Sequence, residues 1–515
     1  MKKVVVREDY PVVNTTCGKV RGLEIDDVMV FRGVPYARAE RFMAPVKPEA
    51  WDDVRDCYVW GNACPVGDIM RSGIFCMHRQ WEQDEDCLNL NVWTTSINSD
   101  ARRPVMFWIH GGGYANGSSI EEYGMEGDRL AATDQVVVVS INHRLNYLGY
   151  LDLTGYGEEF ADSANAGMLD ILAALKWVRE NIASFGGDPD NITLFGQSGG
   201  GGKIMTLMQM PAADGLYHKA IIQSGIMLMN DRLRNGKEHA EAVVSELGLS
   251  RDTIDQIKTV PYRELYEAGM RAAARDGIFI MDAFGPHPDG INVYDDYATA
   301  GFRKEVKDIP VMVGSCIGEM SAFSMHGQVR PPFGRTELEQ YRPEEKTAFL
   351  KRYFGDHADE IMHLMQEAYP EIDPMYAPLI DTGIRRKTLE YVGARAEAAD
   401  APVFNYLMTY RVPFMEGKLS WHGADIPMVF GSVDRSEILS TGGEEAHALS
   451  RTMMNAFIAF ACTGDPSAED LPWPSYSTEH RNTMLFDNVS RSAKDHDTEL
   501  IDAIRNAKLI KDFFD

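Results

Sequence analysis

Ser198 lies in Phe195-Gly196-Gln197-Ser198-Gly199-Gly200, a G-x-S-x-G pattern at the end of the apolar run Ile192–Phe195. A serine hydroxyl attacks a carbonyl when it is held exposed and a base takes its proton. A sharp turn from strand to helix gives that exposure, and it leaves little room for side chains beside the nucleophile. Gly196, Gly199 and Gly200 supply the small residues, and Lys203-Ile-Met-Thr-Leu-Met-Gln-Met continues as a helix behind the turn. The start of that helix turns the positive end of its dipole toward the serine. A phosphate loop, G-x-x-x-x-G-K-[ST], is the rival use of glycines before a lysine. Aligned on Lys203 it needs glycine at Gln197 and Ser or Thr at Ile204, so it fails twice. A glycine-rich turn with a bystander serine would still explain the pattern if it stood alone.

A second segment argues against a bystander. His110-Gly111-Gly112-Gly113-Tyr114 follows the apolar run Val105–Ile109. Acyl transfer builds negative charge on a carbonyl oxygen, and backbone N–H groups aimed into a pocket can hold it. Glycines let those groups approach closely, and an HGGG segment after an upstream strand supplies them. The serine also needs a base, and the base an orienting acid, in the chain order Ser, acid, His. Ten histidines follow Ser198, and spacing alone does not choose among them. His422 lies in a loop after the run Val403–Tyr410, where a base reaching a sheet edge belongs. Glu319 follows the run Ile309–Val313 and is the natural acid.

The elements that must position these groups read as an α/β pattern. Short apolar runs occur at Pro104–Ile109, Gln135–Ile141, Ile192–Phe195, Ala220–Gln223, Ile309–Val313, Val403–Tyr410 and Met484–Phe486. Most are rich in β-branched or aromatic residues and apolar on both faces, as in strands of a parallel-rich sheet covered on both sides. Pro310 fits only near the start of its strand. Between the runs, Ala166–Ile182 predicts a helix with Met168, Ile171, Leu172, Leu175, Val178 and Ile182 on one face and Asp170 and Glu180 on the other. Arg451–Cys462 predicts a second, buried helix. No linker or repeat divides the 515 residues. The expectation is a single domain over 1–515, with mostly helical insertions at about 230–300 and 321–400 over one end of the sheet.

Composition excludes several classes. The formal net charge is −26, which repels phosphate backbones and anionic membranes, so nucleic acid is not an expected partner. No stretch reaches the length of a membrane span. The apolar start Val4-Val5-Val6 breaks at Arg7-Glu8-Asp9, too short for a signal core, so a cytoplasmic setting is expected. The seven cysteines, Cys17, Cys57, Cys64, Cys76, Cys87, Cys316 and Cys462, are odd in number and scattered, unlike a disulfide scaffold. The reading calls for no cofactor and no metal, and it leaves the oligomeric state open.

Taken with further motifs, the chain resembles the type-B carboxylesterases, a family that includes bacterial para-nitrobenzyl esterases and the cholinesterases. Phe31-Arg-Gly-Val-Pro-Tyr-Ala, Glu85-Asp-Cys-Leu-Asn-Leu-Asn-Val, Asn142-His-Arg-Leu, Phe185-Gly-Gly-Asp-Pro, Phe460-Ala-Cys-Thr-Gly-Asp-Pro and Leu471-Pro-Trp-Pro-Ser-Tyr carry the likeness over nearly the whole length. The resemblance implies an α/β-hydrolase fold, a mostly parallel central sheet flanked by helices, and hydrolysis of small-molecule carboxylic esters. It implies Ser198 as nucleophile, Glu319 as acid and His422 as base. It implies oxyanion donors from Gly112, Gly113 and Gly199, with Ser224 and Asp425 supporting the triad. Cys64 and Cys87 fall where secreted relatives form a disulfide. The chain departs from the family at Gln197-Ser198-Gly199, where Glu-Ser-Ala is usual, and at Met320, where glycine usually follows the acid. Related hydrolysis of amides, thioesters or lactones, and a non-catalytic binding role, are the alternatives. Aromatic and methionine residues of the insertions, Phe279, Met281, Phe284, Phe323 and Met325, are candidates for an apolar substrate pocket.

Overall fold

The structure is a computed structural model that describes residues 3–67, 79, 81–228, 236–278, 283–321, 335–413, 417–436 and 442–507. Among the pocket candidates, Phe279, Met281, Phe323 and Met325 lie outside these residues, as does Cys76. The chain forms two compact units, and the first runs, with short breaks, to Ile309.

The first unit is built on six strands: β1 (Val28–Pro35), β2 (Asn89–Thr94), β3 (Arg103–Ile109), β4 (Val137–Ile141), β5 (Gly187–Gln197) and β6 (Lys219–Gln223). Their order is β1-β2-β4-β3-β5-β6. β1 and β2 are antiparallel to each other, and so are β2 and β4. The pairs β3/β4 and β3/β5 are parallel. Val105 through Ile109 have no exposed surface, nor have Ile192, Leu194 and Phe195, as expected for strands covered on both faces. β1 and β2 are absent from the apolar runs of the sequence, and in β2 the run is broken by Asn89 and Asn91. Both are buried, and Asn91 donates to the hydroxyls of Ser119 and Ser140 at 3.1 Å. Paired amides of this kind place polar residues in a core strand without an unsatisfied group.

Helix α1 (Ala166–Asn181) follows the expected periodicity, with one correction. Asp170 is fully buried rather than on a solvent face. Its carboxylate takes Arg144 Nε at 2.8 Å, an Arg144 terminal nitrogen at 2.7 Å and the Arg144 backbone N–H at 3.0 Å. The spacing places Asp170 opposite the apolar face, and a bidentate arginine removes the reason for a carboxylate there to face water. Helix α2 (Gly199–Met208) begins directly after Ser198 and is buried along its length.

The second unit holds Ile222–Ile226 and Pro310–Asp515, so the boundary falls within β6. It adds β7 (Val311–Cys316), β8 (Val403–Met408), β9 (Asn482–Phe486) and β10 (Arg491–Lys494). β7/β8 and β8/β9 are parallel, and β9/β10 is antiparallel. Pro310 stands just before β7, where its missing N–H breaks no ladder bond. Helices Pro343–Phe354, Ala358–Ala368 and Thr498–Ala507 share an apolar core that includes Leu350, Ile361, Met365 and Ile504, none of them exposed. The helix expected at Arg451–Cys462 runs from Gly443 to Thr463.

Candidate active site

In the first unit, the site begins where β5 ends. Gln197 is the last strand residue, Gly199 the first of α2, and Ser198 between them has φ 54° and ψ −124°. A non-glycine residue held there is strained, and such strain persists only where packing enforces it. The packing is visible on the flanking glycines. A Cβ on Gly196 would lie 2.7 Å from the Ile109 carbonyl oxygen, and one on Gly111 would lie 3.4 Å from Ser198 Cβ. The segment after β3 therefore lies directly against the serine. Ser198 keeps partial exposure, while Gln197, Gly199 and Gly200 are buried.

That segment is itself preorganised. Gly112 and Gly113 both have positive φ, +81° and +61°. Backbone at positive φ carries little cost for glycine alone, so this turn requires both of them. The Gly112 carbonyl accepts from the N–H groups of Ala115, at 3.3 Å, and Asn116, at 3.0 Å. Gly113 and Gly199 are packed backbone to backbone: a Cβ on Gly199 would come 2.5 Å from Gly113 Cα. An alanine at that position would not fit here without moving the loop.

The second unit brings Glu319 and His422 together. Glu319 is fully buried in the turn after β7. Its Oε1 accepts from Ser224 Oγ at 2.6 Å and from the Cys316 N–H at 2.7 Å. Its Oε2 lies 2.6 Å from His422 Nδ1. The His422 N–H donates to the Glu319 carbonyl at 2.9 Å, so backbone and side chain fix the pair together. Burial works against the imidazolium, but the hydrogen bond to Glu319, with the charges of Glu319, Asp425 and Asp381, holds the His422 pKa above its ordinary value. The His422 side chain is 18% exposed, so its ring keeps one open side. Ser224 is held at φ 49°, with its N–H donating to the Gly314 carbonyl at 2.7 Å.

Asp425 is placed differently from Ser224. Its Oδ2 takes Gln223 Nε2 at 3.0 Å and the Tyr406 hydroxyl at 2.7 Å, and burial raises its pKa in spite of these donors. Its carboxylate meets β6 and β8 side chains, and it acts on the pair of Glu319 and His422 through charge. Sequence reasoning missed Gln223, Tyr406 and the Cys316 N–H. No signal marks them, because each reaches the site through neighbours distant in sequence. It tested Lys203 only as a phosphate-loop lysine, although a lone cation in an apolar helix is itself a legible signal. Cys64 and Cys87 are buried free thiols, and the hydrogen bond the Cys87 thiol makes to Cys64, together with burial, raises Cys87 well above its ordinary pKa. Phe284 is buried, with its ring 4.8 Å edge-to-face from Tyr147.

A strained serine between a parallel strand and a helix, glycine N–H groups beside it, and a separately assembled histidine–glutamate pair define a serine hydrolase of the α/β-hydrolase fold. The chain belongs to the carboxylesterase family, whose model matches residues 9–501. It is 33% identical over 500 residues to the para-nitrobenzyl esterase of Bacillus subtilis (strain 168), covering 95% of this chain and 97% of that one. Liver carboxylesterase of Sus scrofa is 31% identical over 535 residues, covering 94% of this chain and 91% of the relative. Among solved structures, an esterase from the anaerobe Clostridium hathewayi that can hydrolyze aliphatic aromatic polyesters superimposes with a TM-score of 0.91 at 39% identity, covering 98% of this chain and all of that one. A thermophilic PNB esterase superimposes with a TM-score of 0.77 at 31% identity, over 96% of this chain and all of that one. The protein is a carboxylic-ester hydrolase acting on small-molecule esters. Among the described residues, no helix is long and apolar enough to cross a membrane.

Proposed function

We propose that the chain hydrolyses esters in two acyl-transfer steps on Ser198, with His422 as base and Glu319 as the acid that orients it. His422 takes the Ser198 proton as the oxygen attacks the ester carbonyl. The N–H groups of Gly112, Gly113 and Gly199 hold the oxyanion, and Glu319 stabilises the imidazolium. His422 then gives its proton to the leaving alcohol, and water repeats the sequence on the acyl-enzyme. Ser224 and Asp425 keep Glu319 and His422 in place and in charge balance. The observation that carries this reading is the strained φ of Ser198, forced by the glycine packing around it.

The whole chain is read as one catalytic domain, with the stretches near 230–300 and 321–400 shaping the acyl and alcohol pockets. The activity of the Clostridium hathewayi relative on aliphatic aromatic polyesters makes aliphatic and aromatic esters the first substrates to try. Buried free thiols and the net charge of −26 support a reducing, cytoplasmic setting without nucleic-acid partners.

A fluorophosphonate probe tests the assignment. It should label the wild-type enzyme once, on Ser198, and labelling should slow by about 10³-fold or more in His422→Gln, because the hydroxyl loses its base. Rapid labelling of His422→Gln would exclude His422 as that base, and a probe adduct on another residue would exclude Ser198.

A further inference from the structure

Lys203 has no part in the reaction just described. It lies one turn into α2, on the helix that starts at Ser198, and it has no exposed surface. Its Nζ donates to the His110 carbonyl at 3.1 Å and sits 5.7 Å from the centre of the Tyr114 ring. A lysine is almost never buried completely without a strong partner. Here its hydrogen-bond acceptor is the peptide that opens the Gly111-Gly112-Gly113 segment.

That peptide matters because a trans amide fixes its C=O and N–H in opposite directions. Tying a carbonyl therefore aims the next residue's N–H. Lys203 ties the His110 carbonyl. His110 Nδ1 ties the Gly111 carbonyl at 2.9 Å. The Ala115 and Asn116 N–H groups tie the Gly112 carbonyl. Three successive peptides are thus held from behind, and their N–H groups are those of Gly111, Gly112 and Gly113. Only the first tie carries a charge, and only that one joins the loop to the nucleophile's own helix.

The groups facing Lys203 are His110 and His143, whose rings stack at 4.7 Å, and the carboxylate of Glu121, with Glu122 beside it. Burial and the neighbouring lysine keep both imidazoles neutral. Glu121 is raised by burial and by Glu122. Burial pushes the Lys203 ammonium down to about 7 against the pull of Glu121.

We propose that Lys203 is a positioning residue for ester hydrolysis: its ammonium, seated on the His110 carbonyl, locks the oxyanion loop to the helix of Ser198 and favours the oxyanion by its charge. This rests on the assignment of Ser198 and the glycine loop made above. The charge is present at low pH and is lost as the pH rises through about 7. The contribution to kcat therefore falls over the same range in which His422 gains activity by losing its proton.

The test uses the full-length enzyme, para-nitrophenyl acetate, and the variants Lys203→Met and Lys203→Gln, with kcat and KM measured separately from pH 5.5 to 9.5. Lys203→Met should lower kcat by about 10- to 100-fold with KM within about twofold, the mark of a contact that acts in the transition state. The ratio of wild-type to Met-variant kcat, in which the His422 titration cancels, should fall by a step near neutral pH. Lys203→Gln, which keeps a donor without the charge, should recover part of the loss without restoring the step. A Met variant with kcat within twofold of wild type at pH 5.5, or a ratio that does not change with pH, would overturn the proposal. Should the Met variant not fold, the Gln variant and the wild-type profile decide by the same criteria. Fluorophosphonate labelling separates the two levels: absence of labelling at wild-type Ser198 defeats the underlying assignment, whereas normal labelling with an unchanged variant defeats only the role of Lys203.

Discussion

Around Ser198 the polar groups are peptides; around His422 they are side chains. The first region works with glycines at positive φ, tied carbonyls and one strained residue, and its rigidity comes from backbone packed on backbone. The second works with Glu319, Ser224, Gln223, Tyr406 and Asp425, in hydrogen bonds of 2.6–3.0 Å around two buried carboxylates. The chemistry explains the division. An oxyanion needs fixed dipoles that do not reorganise, whereas a base needs a pKa that neighbouring groups can set. The first region should therefore respond to added atoms, and the second to removed charges or donors.

The largest effect should come from the nucleophile, which no neighbour can replace. Ser198→Ala should lower kcat for a nitrophenyl ester by on the order of 10⁶ with the fold intact, as read by turnover and circular dichroism. Turnover at the wild-type rate would remove the serine region from the reaction altogether. Next comes the charge in the histidine region. Glu319→Gln should cost about 10⁴ in kcat. It should also move the acid limb of kcat/KM to lower pH: Glu319 holds the imidazole above its ordinary 6.5, so the wild-type limb lies above that value and drops when the charge goes. An acid limb that stays in place would show that something other than Glu319 sets the base.

Added bulk in the backbone region should cost less than the lost charge. Gly112→Ala places a Cβ at φ +81° and 2.7 Å from the Asn116 carbonyl carbon, so the loop must shift. We expect kcat to fall by about 10²–10³ with a much smaller change in KM. The smallest effect should come from a single donor in the side-chain network. Ser224→Ala leaves Glu319 with the Cys316 N–H and His422, and should cost about tenfold in kcat. A loss as large as that of Glu319→Gln would mean the network is one unit and not a set of separable donors.

The parts of this site differ in how legible they are in the sequence. Ser198 and the glycine loop are readable because backbone requirements leave a local mark: only small residues fit beside a strained turn, and they must be adjacent in the chain. His422 and Glu319 are two among many residues of their kinds, and motif resemblance rather than spacing singles them out. The burial of Asp170 is not legible from its place opposite the apolar face, because its partner Arg144 is 26 residues away. Lys203 is visible as a cation in an apolar helix, yet its acceptor, the His110 carbonyl, is 93 residues distant.

By itself, then, the sequence determined the apolar strands from β3 to β9, the elbow and the glycine loop, since each depends on residues within one or two turns of each other. The tertiary structure alone decided which buried polar groups meet. It set Tyr406 and Gln223 on Asp425, Ser224 and the Cys316 N–H on Glu319, and Lys203 on the loop. The physical reason is that a buried polar group must find a partner somewhere in the fold, and nothing in its own stretch of chain says where.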